Sequence, residues 1–144
     1  MTDPVRILLV EDNDADVYLF RKALAGAELN FELIVIEDGG RAMQFIRNEG
    51  KYADSPVPDL AIIDLSLPKN DGIQVIEAIR AAVRFAGMPV VVASSSAKPP
   101  AHVNLERLGV ARYVAKPPDL ESFLQIGALL KEILVQSQAR RAGG

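Results

Sequence analysis

The sequence predicts an α/β fold: a doubly wound, five-stranded parallel sheet with helices on both sides, built as a single domain. Three observations predict it. Five short runs dominated by Val, Ile, Leu and Ala recur along the chain, and strands this apolar need cover on both faces. Between them lie longer stretches with apolar residues at three- and four-residue spacing, the period of a one-sided helix. Strand and helix therefore alternate, which calls for right-handed crossovers between parallel strands. With 144 residues, 49% of them hydrophobic and 24% charged, the chain matches one domain of ~150 residues and can bury one core.

The elements follow in order. Val5–Val10 reads as the first strand, stopped at once by Glu11, Asp12, Asn13 and Asp14; Asn13 and Asp14 can cap a helix carrying Val17, Phe20 and Leu24. The second strand is Phe31–Ile36, followed by a helix with Met43 and Ile46 that Gly50 can end. Residues 50–58 form a polar, proline-containing connection, long for an α/β turn and expected to run over the surface. The third strand covers 60–63 and leads to a helix with Ile76, Ile79 and Val83. The fourth covers 90–93; Pro99 and Pro100 suit the first turn of a fourth helix that Gly109 can end. The fifth, Val110–Ala115, is followed by a last helix with Leu120, Phe123, Leu130 and Leu134. The core is expected over 5–135, with 136–144 as a fraying end and polar tail.

Composition narrows the function. Sixteen Lys and Arg against nineteen Asp and Glu leave a net charge of −3, which provides no basic field for a phosphate backbone, so nucleic acid is not expected as a direct partner. No apolar run approaches the ~18 residues that span a bilayer, so no membrane role is expected. The absence of cysteine removes disulfides, thiolate nucleophiles and Cys-ligated zinc, and the Met-Thr-Asp-Pro start lacks the regions of a signal peptide, which makes the cytoplasm the expected compartment.

In open parallel sheets the ligand crevice lies beyond the carboxyl ends of the strands. There the sequence places Glu11 and Asp12, Asp64, Ser94 to Ser96, and Lys116-Pro117. Singly each has an ordinary reading, as a helix-start acid, a turn cap, a loop serine or a solvated lysine. Together, at four successive strand ends, they form one rim. Carboxylates crowded there repel unless a cation sits among them, and hard oxygen ligands with room for waters suit Mg²⁺. Such an ion draws in a phosphoryl group, for which Lys116 supplies a point charge and a serine a hydroxyl. With no cysteine and no well-placed histidine, a carboxylate oxygen is the expected acceptor, and Asp64 at the end of the central strand is the choice. His102 reads as a surface helix residue.

These residues resemble the receiver domain of two-component response regulators, from about Val5 to Leu134. The motifs are Val10-Glu11-Asp12-Asn13, the block Asp64-Leu65-Ser66-Leu67-Pro68-Lys69-Asn70-Asp71-Gly72, the hydroxyl at Ser94, and Lys116-Pro117. The resemblance implies a flavodoxin-like fold of strand order 2-1-3-4-5 and a phosphoryl group passed from a histidine kinase to Asp64. It implies that Asp12 and Asp64 ligate Mg²⁺ directly, Glu11 through a water, and Ser66 through its backbone carbonyl. Lys116 would pair with the phosphoryl oxygens, and Ser94 would swing in to them, coupled to Tyr113 on the fifth strand. Catalysis would extend only to the protein's own phosphorylation and slow dephosphorylation. In the family, Lys116 is often aimed inward by a cis bond to Pro117, although most such bonds are trans. Asp71-Gly72 reads as structural, with the glycine allowing a tight turn into the third helix. Glu11 stands for the commoner Asp, and Ser94 for the commoner Thr.

No output domain follows Gly144, so a stand-alone receiver whose output is a protein contact is expected, its downstream partner unidentified. The residues Glu37-Asp38-Gly39, the long loop before the third strand, the serine-rich end of the fourth and the extended last helix resemble the group that includes phytochrome-associated regulators, which implies a bacteriophytochrome kinase as partner. The last helix has a second apolar stripe, Ile126, Leu129 and Ile133, which predicts a homodimer through the fourth helix, fifth strand and fifth helix; a broad stripe buried in one core is the open alternative. Three rivals fit less well. A haloacid dehalogenase-type phosphatase needs a second Asp where Ser66 stands, and a dinucleotide-binding domain needs a glycine-rich turn where Glu11-Asp12-Asn13-Asp14 stands. A degenerate receiver acting only as a docking module requires a missing site residue, and none is missing.

Overall fold

The computed structural model describes residues 3–67, 71–101 and 103–143. Five strands, β1 Val5–Val10, β2 Phe31–Ile36, β3 Leu60–Asp64, β4 Val90–Ser94 and β5 Val110–Ala115, pair in parallel in the order β2-β1-β3-β4-β5. The expected doubly wound sheet is thus present. Alternation along each strand divides its side chains between two cores. Ile7, Leu9, Leu60, Ile62, Val91 and Ala93 face one way, against α1 (Asp14–Gly26), α4 (Leu120–Leu124) and α5 (Ile126–Gly143). Leu8, Val10, Ala61, Ile63, Val90 and Val92 face the other, against α2 (Gly39–Ile46) and α3 (Asp71–Ala81). Strand order reverses between β1 and β3, which opens the crevice where a ligand belongs.

Local signals explain the helix ends. Asn13 caps α1 by accepting from the Asp16 N–H, Asp38 caps α2 through Arg41 N–H, and Asp119 caps α4 through Ser122 N–H. α2 stops before Asn48, which takes the left-handed conformation at φ +55°, so the stop expected at Gly50 comes earlier. Residues 50–52 form a 3₁₀ turn whose Tyr52 ring meets Phe45 edge-on at 5.6 Å.

Four expectations need correction. The fourth helix, predicted between β4 and β5, is replaced among the described residues by turns: the Asn104 side chain starts a single turn at Arg107 N–H and Gly109, at φ +70°, ends it. Pro99 and Pro100 lack backbone N–H groups and so bring no donor to a helical ladder there. His102 lies outside the described residues. The last helix is two helices, interrupted at Gln125. Gly127, just past the interruption, brings α5 against α1 so closely that a Cβ there would overlap the Ala23 carbonyl. The expected tail is helical as far as Gly143; nothing in Gln136 to Arg141 breaks a helix, and Arg141 ties it down by donating to the Gly87 carbonyl at 3.4 Å. Finally, Ile126 and Ile133 are buried in the same core as Leu130 and Leu134 and Leu129 packs against it half-buried, so the stripe no longer argues for a homodimer. The smaller expectation for Val83 also fails: α3 ends at Ala81, Val83 is exposed, and Phe85 fills the core instead.

β5 carries a bulge. Val90 pairs with Val110 but Val91 pairs with Arg112, leaving Ala111 over. Without that extra residue, Val110 and Tyr113 could not both pack on the α2–α3 core, because residues three apart on a regular strand face opposite ways.

Candidate functional site

Strand register assembles the site. Val10 pairs with Ile63, so Glu11 and Asp64 leave the sheet side by side; Ser94 pairs with Ala115, which brings Lys116 to the same edge. Each departing segment keeps one further ladder bond: Glu11 N–H to Ile36 at 3.0 Å, Leu65 N–H to Ala93 at 2.9 Å, and Lys116 N–H to Ser94 at 2.7 Å. The side chains are therefore aimed by backbone rather than by loop freedom. Gly72 keeps the floor tight: a Cβ there would lie 2.6 Å from the Asp64 carbonyl oxygen. Its role is close approach to backbone and not the turn freedom expected of it, since its φ is not positive.

Glu11, Asp12 and Asp64 each offer a carboxylate oxygen, all within 4.8 Å of one another. Glu11 and Asp64 are 1% and 2% exposed, and Asp12 is open to solvent. The Lys116 ammonium lies 2.6 Å from Glu11 Oε1, 2.7 Å from Asp16 Oδ2 and 3.4 Å from Asp64 Oδ2. Asp64 Oδ1 accepts from Ser66 N–H at 2.8 Å, and Glu11 Oε2 from Asn13 N–H at 3.2 Å. One ammonium meets three carboxylates in a cleft that Asp12 also lines, and the imbalance shows in the titration of Glu11. Burial, reinforced by its contact with Asp64, pushes its pKa up to about 7 against the pull of Lys116. Burial alone would lower the Lys116 pKa, but hydrogen bonds to Asp16 and Glu11 outweigh it and hold it above its ordinary value.

These groups line a cleft of about 170 Å³ together with Asn13, Ser66 and Ser95. All its anionic donors are hard oxygens, one side is open to water, and burial and crowding raise the pKa of Glu11. That is the chemistry that fits a small divalent cation such as Mg²⁺. A larger groove of about 610 Å³, between α3 and residues 103–108, gathers no comparable set; its charged groups are Glu77 and Arg107.

Glu11, Asp12, Asp64, Ser66 and Lys116 thus meet where the sequence predicts. Lys116 points into the cleft although the described residues contain no cis peptide bond. Ser94 and Tyr113 stand one layer away, and both hold Ser96: Ser94 Oγ accepts from its N–H at 3.1 Å, and the Tyr113 hydroxyl donates to its carbonyl at 2.7 Å. The hydroxyls nearest the opening belong to Ser66 and Ser95, 3.4 Å apart. Pro68, Lys69 and Asn70 of the Asp64 block lie outside the described residues. Sequence reading missed Asp16. Its signal was its place four residues after Asp12, one turn into α1 on the crevice side.

The sequence profile of the response regulator receiver domain matches residues 7–127. The chain belongs to this family. The receiver is 36% identical over 123 residues to Response regulator Rcp1 of Synechocystis sp., an alignment covering 85% of this chain and 84% of that one. Among solved structures it resembles the phosphorylated cyanobacterial phytochrome response regulator RcpA, at 35% identity and a TM-score of 0.78, covering 92% of this receiver and 95% of that chain. It also resembles the Mn²⁺-bound form of Rcp1, at 34% identity and a TM-score of 0.79, covering 89% and 92%. Among the described residues, no helix of the receiver is long and apolar enough to cross a membrane.

Proposed function

We propose that this receiver takes a phosphoryl group from the phosphohistidine of a sensor histidine kinase onto Asp64 and passes the signal to another protein. One observation carries the reading: the buried Asp64 carboxylate shares a cleft with Glu11 and Asp12, with the Lys116 ammonium 3.4 Å from its Oδ2. An Asp64 oxygen forms the new O–P bond as the P–N bond breaks, and the electron pair leaves on the imidazole nitrogen, which then takes a proton from water.

Asp12 and Asp64 would hold Mg²⁺ directly, Glu11 through a water and Ser66 through its carbonyl. The bound ion would neutralise charge on the phosphoryl oxygens. Lys116 supplies the remaining positive charge in a site where burial strengthens it. Ser94 and Tyr113 give the switch its mechanical path. Both grip Ser96, so drawing the Ser94 hydroxyl toward a phosphoryl oxygen releases the Ser96 N–H and disturbs the carbonyl that Tyr113 holds. The change would emerge on the edge strand β5 and the turns before it. The similarity to RcpA and Rcp1 supports a phytochrome-type kinase as donor, and the protein's own catalysis would extend no further than gaining and slowly losing the phosphoryl group.

Incubation with Mg²⁺ and acetyl phosphate, followed by intact-mass measurement, tests the reading. One phosphoryl adduct is expected on the wild type and none on Asp64→Asn. An adduct of equal yield on both rejects Asp64 as acceptor.

A further inference from the structure

Asp16 is placed by a helix cap whose second half has been diverted. It occupies the third position of α1, where an acidic side chain ordinarily turns back to the N–H of the capping residue. Here that N–H, on Asn13, already donates to Glu11 Oε2, while Asn13 Oδ1 accepts from Asp16 N–H at 3.1 Å. The Asp16 carboxylate is thereby freed to reach into the cleft and meets the Lys116 ammonium at 2.7 Å, closer than Asp64 at 3.4 Å. Asp16 contributes no oxygen to the group formed by Glu11, Asp12 and Asp64.

We propose that Asp16 is a positioning residue that competes with the phosphoryl group for Lys116 and so sets how readily the receiver enters its phosphorylated state. This rests on the function proposed for Asp64. An ammonium has three N–H donors, and Glu11 and Asp16 occupy two of them. When a divalent ion draws Glu11 into its shell, Asp16 is the anion that still retains Lys116. A phosphoryl group on Asp64 must then pull Lys116 from Asp16 or share it. The Asp16 side chain is 22% exposed, so water weakens the competition without abolishing it.

Charge determines the sign of each effect. Removing the Asp16 charge favours any anion placed at Asp64, because a donor is released and a repulsion disappears. It disfavours a cation at Glu11, Asp12 and Asp64, because Lys116 falls back on those carboxylates. Damage to the helix cap would instead move both affinities the same way.

The test is calorimetric titration of the full chain with beryllofluoride at saturating Mg²⁺, and with Mg²⁺ alone. Asp16→Asn is expected to bind beryllofluoride about three- to tenfold more tightly than wild type and Mg²⁺ about two- to threefold more weakly. Asp16→Ala should agree in both signs, and Asp16→Glu should restore wild-type values. Added salt should narrow the differences. Equal or weaker beryllofluoride binding by both neutral variants overturns the inference while leaving the Asp64 reading intact. Wild-type binding that survives Asp64→Asn overturns both.

Discussion

Replacing Gly72 by alanine sets two effects of opposite sign against each other, and the structure says which wins. Gly72 lies in the first turn of α3, where alanine ordinarily gains up to about 1 kcal/mol of helix propensity. The added methyl, however, would stand 2.6 Å from the Asp64 carbonyl oxygen and 3.2 Å from Leu65 Cα. Both neighbours are backbone, so no side chain can rotate away; α3 or the 64–65 segment must move. Overpacking costs about 1–3 kcal/mol, and against unyielding backbone the upper part of that range, about 2–3 kcal/mol, applies; set against the propensity gain this leaves a net loss of about 1–2 kcal/mol. For a domain of this size that lowers Tm by about 2–8 °C. The displaced segment carries Asp64, so the rate of labelling by acetyl phosphate should fall as well. Gly26 is the control: it ends α1 without a positive φ, a Cβ there meets nothing within 4 Å, and Gly26→Ala should raise Tm by about 1–4 °C. Thermal unfolding monitored by circular dichroism reads both. A Gly72→Ala protein as stable as wild type would refute the close-approach argument.

Other outcomes follow from the same geometry. Mg²⁺ should stabilise the wild type by about 2.7 kcal/mol at one hundred times its dissociation constant, and chelation should reverse this; Asp64→Asn should raise the metal-free Tm by relieving carboxylate crowding and abolish most of the Mg²⁺ increment. Asp119→Ala should lower Tm at neutral pH. The Ser122 N–H holds the Asp119 pKa below its ordinary 3.8, so the cap's charge contributes fully above that value and is lost as pH falls through the lower folded one; the Tm gap to wild type should close in acid. Arg84→Lys should cost about 1 kcal/mol in denaturant unfolding, because the guanidinium donates to the Phe45 carbonyl at 2.9 Å and the Ile46 carbonyl at 3.3 Å while lying over the Phe85 ring, and an ammonium cannot reproduce that planar fork.

The site was legible to the extent that its residues follow strands. Glu11, Asp12, Asp64 and Lys116 each come directly after an apolar run or at its end, and a parallel sheet sends all such positions to one edge. Asp16 was not legible in this way. As a third-position acid in a capped helix it had a sufficient local explanation, and its partner Lys116 lies 100 residues away. Ser94 and Tyr113 were legible as residues but not in their connection, since the carbonyl that joins them belongs to Ser96, one of three adjacent serines alike in type.

Local chemistry by itself determined the strands, the burial of β1, β3 and β4 on both faces, the helix caps at Asn13, Asp38 and Asp119, and the acid-rich rim; each rests on the composition of a few neighbouring residues. Tertiary structure decided the rest. The interruption at Gln125 comes just before Gly127 meets the α1 backbone, and the second stripe of α5 is buried because α1, α4 and α5 share one core that no single helix reveals. The bulge at Ala111 was likewise invisible, because a one-residue shift is defined only by the partner strand. Which donor Lys116 gives to which carboxylate depended on the competing distances of three acids brought together from separate parts of the chain.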